Sequence, residues 1–121
     1  MRILVVDDSS TMRRIIANTL KKIGCEDVVE AGNGAEGLQK MGTGGIDFVV
    51  TDWNMPVMNG LEFVRELRGL AASAKVPVLM VTTNAESTDI AGAKEAGVND
   101  YVVKPFTAET LKEKMSALLA K

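Results

Sequence analysis

Five times along this chain a short run of apolar, largely β-branched residues gives way to a segment with helical periodicity, and no other feature constrains the fold as tightly. The first run, Ile3-Leu4-Val5-Val6, is apolar throughout, as in a strand buried on both faces, and it ends in Asp7-Asp8. Ser9, Ser10 and Thr11 then offer N-cap hydroxyls, and Met12, Ile15, Ile16, Leu20 and Ile23 recur at helical spacing until Gly24 stops the helix. Val28-Val29 reads as a second strand, followed by a helix marked by Ala35, Leu38 and Met41 and ended by Gly42-Thr43-Gly44-Gly45. Phe48-Val49-Val50-Thr51 is a third strand ending in Asp52, and a turn-rich loop from Trp53 to Gly60 leads to a helix carrying Leu61, Val64 and Leu67. Val78-Leu79-Met80-Val81 is a fourth strand ending in Thr82-Thr83, with Ile90, Ala93 and Ala96 on a helix ended by Gly97. Tyr101-Val102-Val103 is the fifth, ending in Lys104-Pro105. Thr107 caps the last helix, which has Glu109 in its first turn and Leu111, Met115, Leu118 and Leu119 along one face.

Five βα units in succession place the chain in the α/β class. The expectation is a three-layer α/β/α sandwich, a five-stranded parallel sheet with helices on both faces, in the order 2-1-3-4-5. At 121 residues the chain has the length of one domain, and the whole of 1–121 is read as that domain, with nothing resembling a linker, a repeat or an effector domain. A composition of 46% hydrophobic and 25% charged residues is that of a globular protein. Sixteen acidic residues against 14 basic argue against a nonspecific binder of nucleic acid or membrane surfaces. No uninterrupted apolar run exceeds four residues, so neither a transmembrane helix nor a signal-peptide core is expected, and a cytoplasmic location is.

What is missing narrows the chemistry. The chain has no histidine, which excludes Ser-His-Asp and Cys-His catalysis and histidine-ligated metals. Its single cysteine, Cys25, excludes an internal disulfide or a CxxC site and reads as an inert small hydrophobe. Carboxylates, hydroxyls, lysines and a metal held through oxygen remain.

Sites in an open parallel sheet form at the carboxyl ends of its strands. There stand Asp7-Asp8, Asp52, Thr82-Thr83 and Lys104. Singly, each has an ordinary explanation as a cap, a turn former or a solvated loop residue. Converging in one crevice, three carboxylates would repel one another, and Lys104 offsets only part of their charge. A hard divalent cation would neutralise the rest, and Mg²⁺ suits oxygen ligands and a neighbouring phosphate. A carboxylate beside Mg²⁺, a lysine and a hydroxyl describes a phosphoryl acceptor that attacks in line.

The segments VVDDSS (5–10), DWNMPVMNG (52–60), VLMVTT (78–83) and YVVKPF (101–106) carry a resemblance that extends from Arg2 to Lys121. The chain resembles the receiver domain of two-component response regulators, nearest to the single-domain regulators of chemotaxis. Such receivers are a standard example of the flavodoxin-like order 2-1-3-4-5. The resemblance implies that Asp52 is the phosphoacceptor, converted to an aspartyl phosphate. It implies Mg²⁺ held directly by Asp8 and Asp52, by Asp7 through water, and by the backbone carbonyl of Asn54. Thr82 would bond the phosphoryl group, Lys104 would pair with it, and Tyr101 would be a rotameric switch. Asn54 and Asn84 would flank the path of the hydrolytic water and tune the phosphoryl lifetime; the amide at 84 departs from the acidic residue of the best-known chemotaxis regulators. The Lys104-Pro105 bond would be cis. Trp53, beside Asp52, would report on the site.

The same resemblance implies a signalling switch rather than an enzyme. Having no histidine, the chain would draw its phosphoryl group from a sensor histidine kinase or a small phosphodonor. It would act as a monomer through helix 4, strand 5 and helix 5, around Lys94, Tyr101, Lys112 and Lys114, on a flagellar motor switch protein, with a phosphatase resetting it. A phosphorelay intermediate that passes the group onward is the alternative. A flavin-binding module of the same fold is disfavoured because Asp7-Asp8 would repel the FMN phosphate, with only one Trp and one Tyr to stack on the ring. An aspartate-nucleophile phosphatase needs Asp-x-Asp at the first strand, where Ser9 stands two after Asp7. A receiver-like scaffold that takes no phosphate would not need the full set of acids, hydroxyl and lysine.

Overall fold

The computed structural model describes residues 1–43, 45–53, 58–70, 75–82, 90–104 and 106–119. Five strands alternate with five helices: β1 (Arg2–Val6), α1 (Ser10–Lys22), β2 (Asp27–Ala31), α2 (Gly34–Gly42), β3 (Phe48–Asp52), α3 (Gly60–Arg68), β4 (Val78–Thr82), α4 (Ile90–Ala96), β5 (Asp100–Val103) and α5 (Ala108–Leu119). The strands form one parallel sheet in the expected order β2-β1-β3-β4-β5.

Period-two alternation divides each strand between two cores. Leu4, Val6, Val49, Val78 and Met80 face Met41 of α2, Phe63, Val64 and Leu67 of α3 and Ala93 of α4. Ile3, Val5, Phe48, Val50, Leu79, Val81 and Val102 face Ile16 and Leu20 of α1 and Leu111, Met115 and Leu118 of α5. Strands β3 and β4 are buried at every position, as their unbroken apolar runs require. Edge strand β2 is half-buried at Val28 and Val29, and its polar neighbours extend it beyond the two valines by pairing with β1.

Three apolar residues depart from the expected helical stripes, among them Ala35 of α2, which is exposed. Ile15 is 48% exposed and Leu119 is 44% exposed. Each sits one residue from a buried neighbour, Ile16 or Leu118, and one residue turns the side chain about 100° around the helix, off the core-facing stripe. Helix starts are set by side-chain caps. Ser9 accepts from the Met12 N–H, Asn33 from Glu36, and Asn59 and Glu62 form a reciprocal capping box at α3. Among the described residues no helix is long and apolar enough to cross a membrane.

Candidate functional site

Parallel registers bring the strand ends to one level. Val6 lies opposite Thr51, Asp52 opposite Val81, and Thr82 opposite Val103. Backbone hydrogen bonds carry the pairing past the strands. The Asp7 N–H donates to Ala31 O at 3.2 Å, Trp53 N–H to Val81 O at 3.0 Å, and Lys104 N–H to Thr82 O at 2.7 Å. Asp7, Asp52, Thr82 and Lys104 are thereby delivered to the carboxyl edge of the sheet. Of the residues that sequence spacing grouped, Asp7, Asp8, Asp52 and Lys104 are neighbours in space, and Thr82 ends the adjacent strand.

The crevice is buried and acidic. Asp7 is 1% exposed, Thr82 3% and Asp52 8%, whereas Asp8 lies at the surface. Carboxylate oxygens of Asp7, Asp8 and Asp52 lie within 4.8 Å of one another. Lys104 Nζ sits between two of them, 3.3 Å from Asp52 Oδ1 and 3.5 Å from Asp7 Oδ2. One ammonium thus faces three carboxylates. Burial and the neighbouring Asp7 carboxylate push the Asp52 carboxyl above its ordinary pKa, and Lys104 and the Trp53 N–H offset part of that rise. An all-oxygen, acidic donor set of this kind fits a hard divalent cation such as Mg²⁺.

Asp52 is held by one oxygen. Oδ1 accepts from Lys104 Nζ and, at 3.0 Å, from the Trp53 N–H. Among the described residues its Oδ2 accepts no hydrogen bond. Asp7 is pinned by an Asx turn, its Oδ1 accepting from the Ser9 N–H at 2.9 Å. Gly60 was legible only as the end of a turn. A Cβ there would meet the Asp52 carbonyl oxygen and lie 2.9 Å from Met80 Sδ, so the start of α3 abuts the end of β3 only because residue 60 lacks a side chain. The Gly60 N–H donates to Trp53 O at 2.8 Å, closing the loop under Asp52.

Tyr101 stands apart from this crevice. It lies opposite Met80 and packs, half-buried, against the core under α2, α3 and α4. Lys114 Nζ lies 5.7 Å from its ring centroid and pairs with Asp100 at 3.3 Å. Lys94 and Lys112 are exposed. Trp53 is half-buried against the same core as Tyr101. The expectations for Asn54, Thr83, Asn84 and the Lys104-Pro105 bond fall on residues outside those described.

Residues 3–116 match the family described as the response regulator receiver domain. The chemotaxis protein CheY of Pseudomonas aeruginosa is 50% identical over 118 residues, covering 98% of this chain and 95% of that protein. The chemotaxis protein CheY1 of Helicobacter pylori is 48% identical over 120 residues, covering 98% and 97%. Among solved structures, the chemotaxis protein CheY4 of Vibrio cholerae superposes with a TM-score of 0.90 at 35% identity, covering 97% of each chain. The receiver domain of the sensor histidine kinase PA1611 from Pseudomonas aeruginosa, solved with a magnesium ion coordinated in its active-site cleft, superposes with a TM-score of 0.90 at 27% identity, covering 99% and 98%.

Proposed function

The chain belongs to the response regulator receiver family, and from that premise we propose that it is a phosphorylation-driven switch of chemotactic signalling, a receiver domain with Asp52 as its acceptor. The observation that carries this reading is the Asp52 carboxylate: buried, fixed through Oδ1, with Oδ2 unengaged among the described residues, beside two further carboxylates and the Lys104 ammonium. Oδ2 is the attacking atom. It forms the new bond to phosphorus as the donor's bond to phosphorus breaks, and the leaving group departs with that electron pair. Holding the other oxygen keeps the nucleophile oriented for in-line approach. Asp7, Asp8 and Asp52, with the Asn54 carbonyl, are the residues that would hold Mg²⁺, which when bound neutralises the phosphoryl oxygens. Lys104 supplies a point charge to the same oxygens.

Phosphorylation replaces the Asp52 carboxylate with a group of about −2 charge and three acceptor oxygens. The Thr82 hydroxyl and the Lys104 ammonium, at the ends of the two strands beyond β3, are the groups placed to answer it. Tyr101 on β5 would transmit that answer to the face formed by α4, β5 and α5, which the output partner reads. Moving a 1:99 equilibrium to 99:1 needs about 5.5 kcal/mol of differential stabilisation, and two charge-assisted contacts at about 1.5–3 kcal/mol each supply half or more of it. With no histidine of its own, the chain takes its phosphoryl group from a sensor histidine kinase, and a flagellar motor switch protein is its output. Both partners place it in the cytoplasm.

Incubation with acetyl phosphate or phosphoramidate in Mg²⁺, read by intact mass, tests the assignment. One phosphoryl adduct is expected, absent in Asp52→Asn and after EDTA. An adduct that survives Asp52→Asn overturns it. Thr82→Ala should still take the adduct but lose most of the gain in partner affinity that phosphorylation brings.

A further inference from the structure

Arg13 reaches back from the start of α1 to the loop that carries two of the three clustered carboxylates. Its Nη1 donates to the backbone carbonyl oxygen of Asp7 at 2.8 Å, and its Nε donates to Glu30 Oε1 on β2 at 3.1 Å. The side chain therefore bridges the edge strand and the peptide that joins Asp7 to Asp8.

That peptide matters because of how the three carboxylates are held. The Asp7 carboxylate is held by the Ser9 N–H and Lys104, and that of Asp52 by Lys104 and the Trp53 N–H. Asp8 differs from both: it is exposed, and among the described residues no hydrogen bond reaches its carboxylate. Yet that carboxylate lies within 4.8 Å of the other two. Its place depends on its own backbone, and the backbone is gripped on both sides. The Asp7 N–H is bonded to Ala31 O, the Asp7 carbonyl to Arg13, and the Ser9 N–H to Asp7 Oδ1.

We propose that Arg13, anchored by Glu30, is a positioning residue that sets the Asp7–Asp8 peptide plane and so holds the Asp8 carboxylate in the divalent-cation site, an inference that rests on the reading of that site given above. Arginine suits the task because its donors lie in one rigid fork, and lysine, a point charge on a flexible stem, cannot reproduce two fixed directions. Two other roles for Arg13 lead to different outcomes. If it acted through its charge alone, removing it would lessen repulsion of a cation and tighten binding, and lysine would replace it fully. If it were only a structural tie, its loss would lower the melting temperature and leave cation affinity unchanged.

Trp53 is the only tryptophan and adjoins Asp52, so its fluorescence reports titration of the full chain with MgCl₂ at fixed ionic strength. Arg13→Ala and Arg13→Lys should each bind Mg²⁺ about tenfold more weakly than wild type, as expected for groups that orient metal ligands. In an Asp8→Asn background, Arg13→Ala should add little to the loss already present, because the two residues act on one ligand. Unchanged or tighter binding by Arg13→Ala, or full rescue by Arg13→Lys, overturns the role. If Arg13→Ala does not fold, Arg13→Lys, with the same charge and a similar stem, decides alone. Wild-type binding that Asp52→Asn weakens but neither Arg13 variant touches overturns the positioning role and leaves the site standing. No Mg²⁺ binding by the wild type overturns both.

Discussion

The two ends of the sheet both hold charge partly out of water, and they treat it in opposite ways. At the amino end, Arg68 closes α3 and, among the described residues, directs its guanidinium into carbonyl and amide oxygens. Nε and Nη2 donate to Gly97 O at 3.1 and 2.7 Å, Nη2 also to Asn99 Oδ1 at 2.9 Å, and Nη1 to Val76 O at 2.5 Å. Asn99 Oδ1 also accepts from the Val78 N–H at 2.8 Å, tying in the start of β4. Gly97 adopts φ +113°, and a Cβ there would lie 2.8 Å from the Arg68 Cγ, so both conformation and space demand glycine. At the carboxyl end, three acids face a single ammonium and one carboxylate oxygen of Asp52 is left unengaged among the described residues. The amino end spreads one charge over several dipoles and gains stability. The carboxyl end keeps like charges together, at a cost in stability, and stays ready for a cation and a phosphoryl group.

If the ends are independent, damage to each should have a different signature. The largest stability effect is expected at Arg68. Arg68→Ala strips hydrogen bonds from the Gly97 and Val76 carbonyls and should cost about 3 kcal/mol in urea unfolding. Its Mg²⁺ affinity should stay within twofold of wild type, and a parallel loss of affinity would show that the two ends are coupled. Gly60→Ala is the counterpart at the carboxyl end. The added methyl must displace both the Asp52 carbonyl and Met80, at about 2 kcal/mol, and here Mg²⁺ affinity should fall with stability. Stability lost without any loss of Mg²⁺ affinity would mean that the start of α3 does not help position Asp52.

The smallest effect has the opposite sign. The folded pKa of Asp52 lies above the ordinary value of 3.8 that applies in the unfolded chain. Between those values the folded chain binds more protons than the unfolded one, so this group stabilises the fold below pH 3.8 and that contribution is lost as pH rises through the folded pKa. Asp52→Asn does not titrate. In metal-free buffer its stability relative to wild type should therefore rise with pH from 3.8 and level off above the folded pKa of Asp52. A difference that shrinks over that range would mean that Lys104 outweighs burial and Asp7.

Much of this contrast was legible in the residues, but unevenly. The acidic end announces itself because each of its groups directly follows a strand-like run: Asp7 after Val6, Asp52 after Thr51, Thr82 after Val81, Lys104 after Val103. A parallel sheet places all such positions on one edge, so sequence order alone predicts the cluster. The Arg68 knot has no such marker. Its described partners lie at residues 76, 97 and 99, which no periodicity relates to position 68. Arg13 and Gly60 were equally unmarked: Arg13 belongs to no motif in the sequence, and Gly60 reads only as the end of a turn. The exposure of Ile15 and Leu119 shows the same limit, because apolar character does not say which of two adjacent positions faces the sheet.

By itself, the order of residues along the chain determined the α/β class and the identity of the acids, hydroxyl and lysine at the carboxyl edge of its sheet. These follow from local rules: period-two and helical patterning, caps, and the one-sided delivery of strand ends in a parallel sheet. Only the tertiary structure decided that, among the described residues, Asp52 Oδ1 is held while Oδ2 is not, that Lys104 lies between Asp52 and Asp7, and that Arg13 grips the peptide before Asp8. Those facts depend on distances of a few ångströms between side chains as far as 97 positions apart. Such distances are set by the packing of helices on a twisted sheet, which no short window of sequence contains.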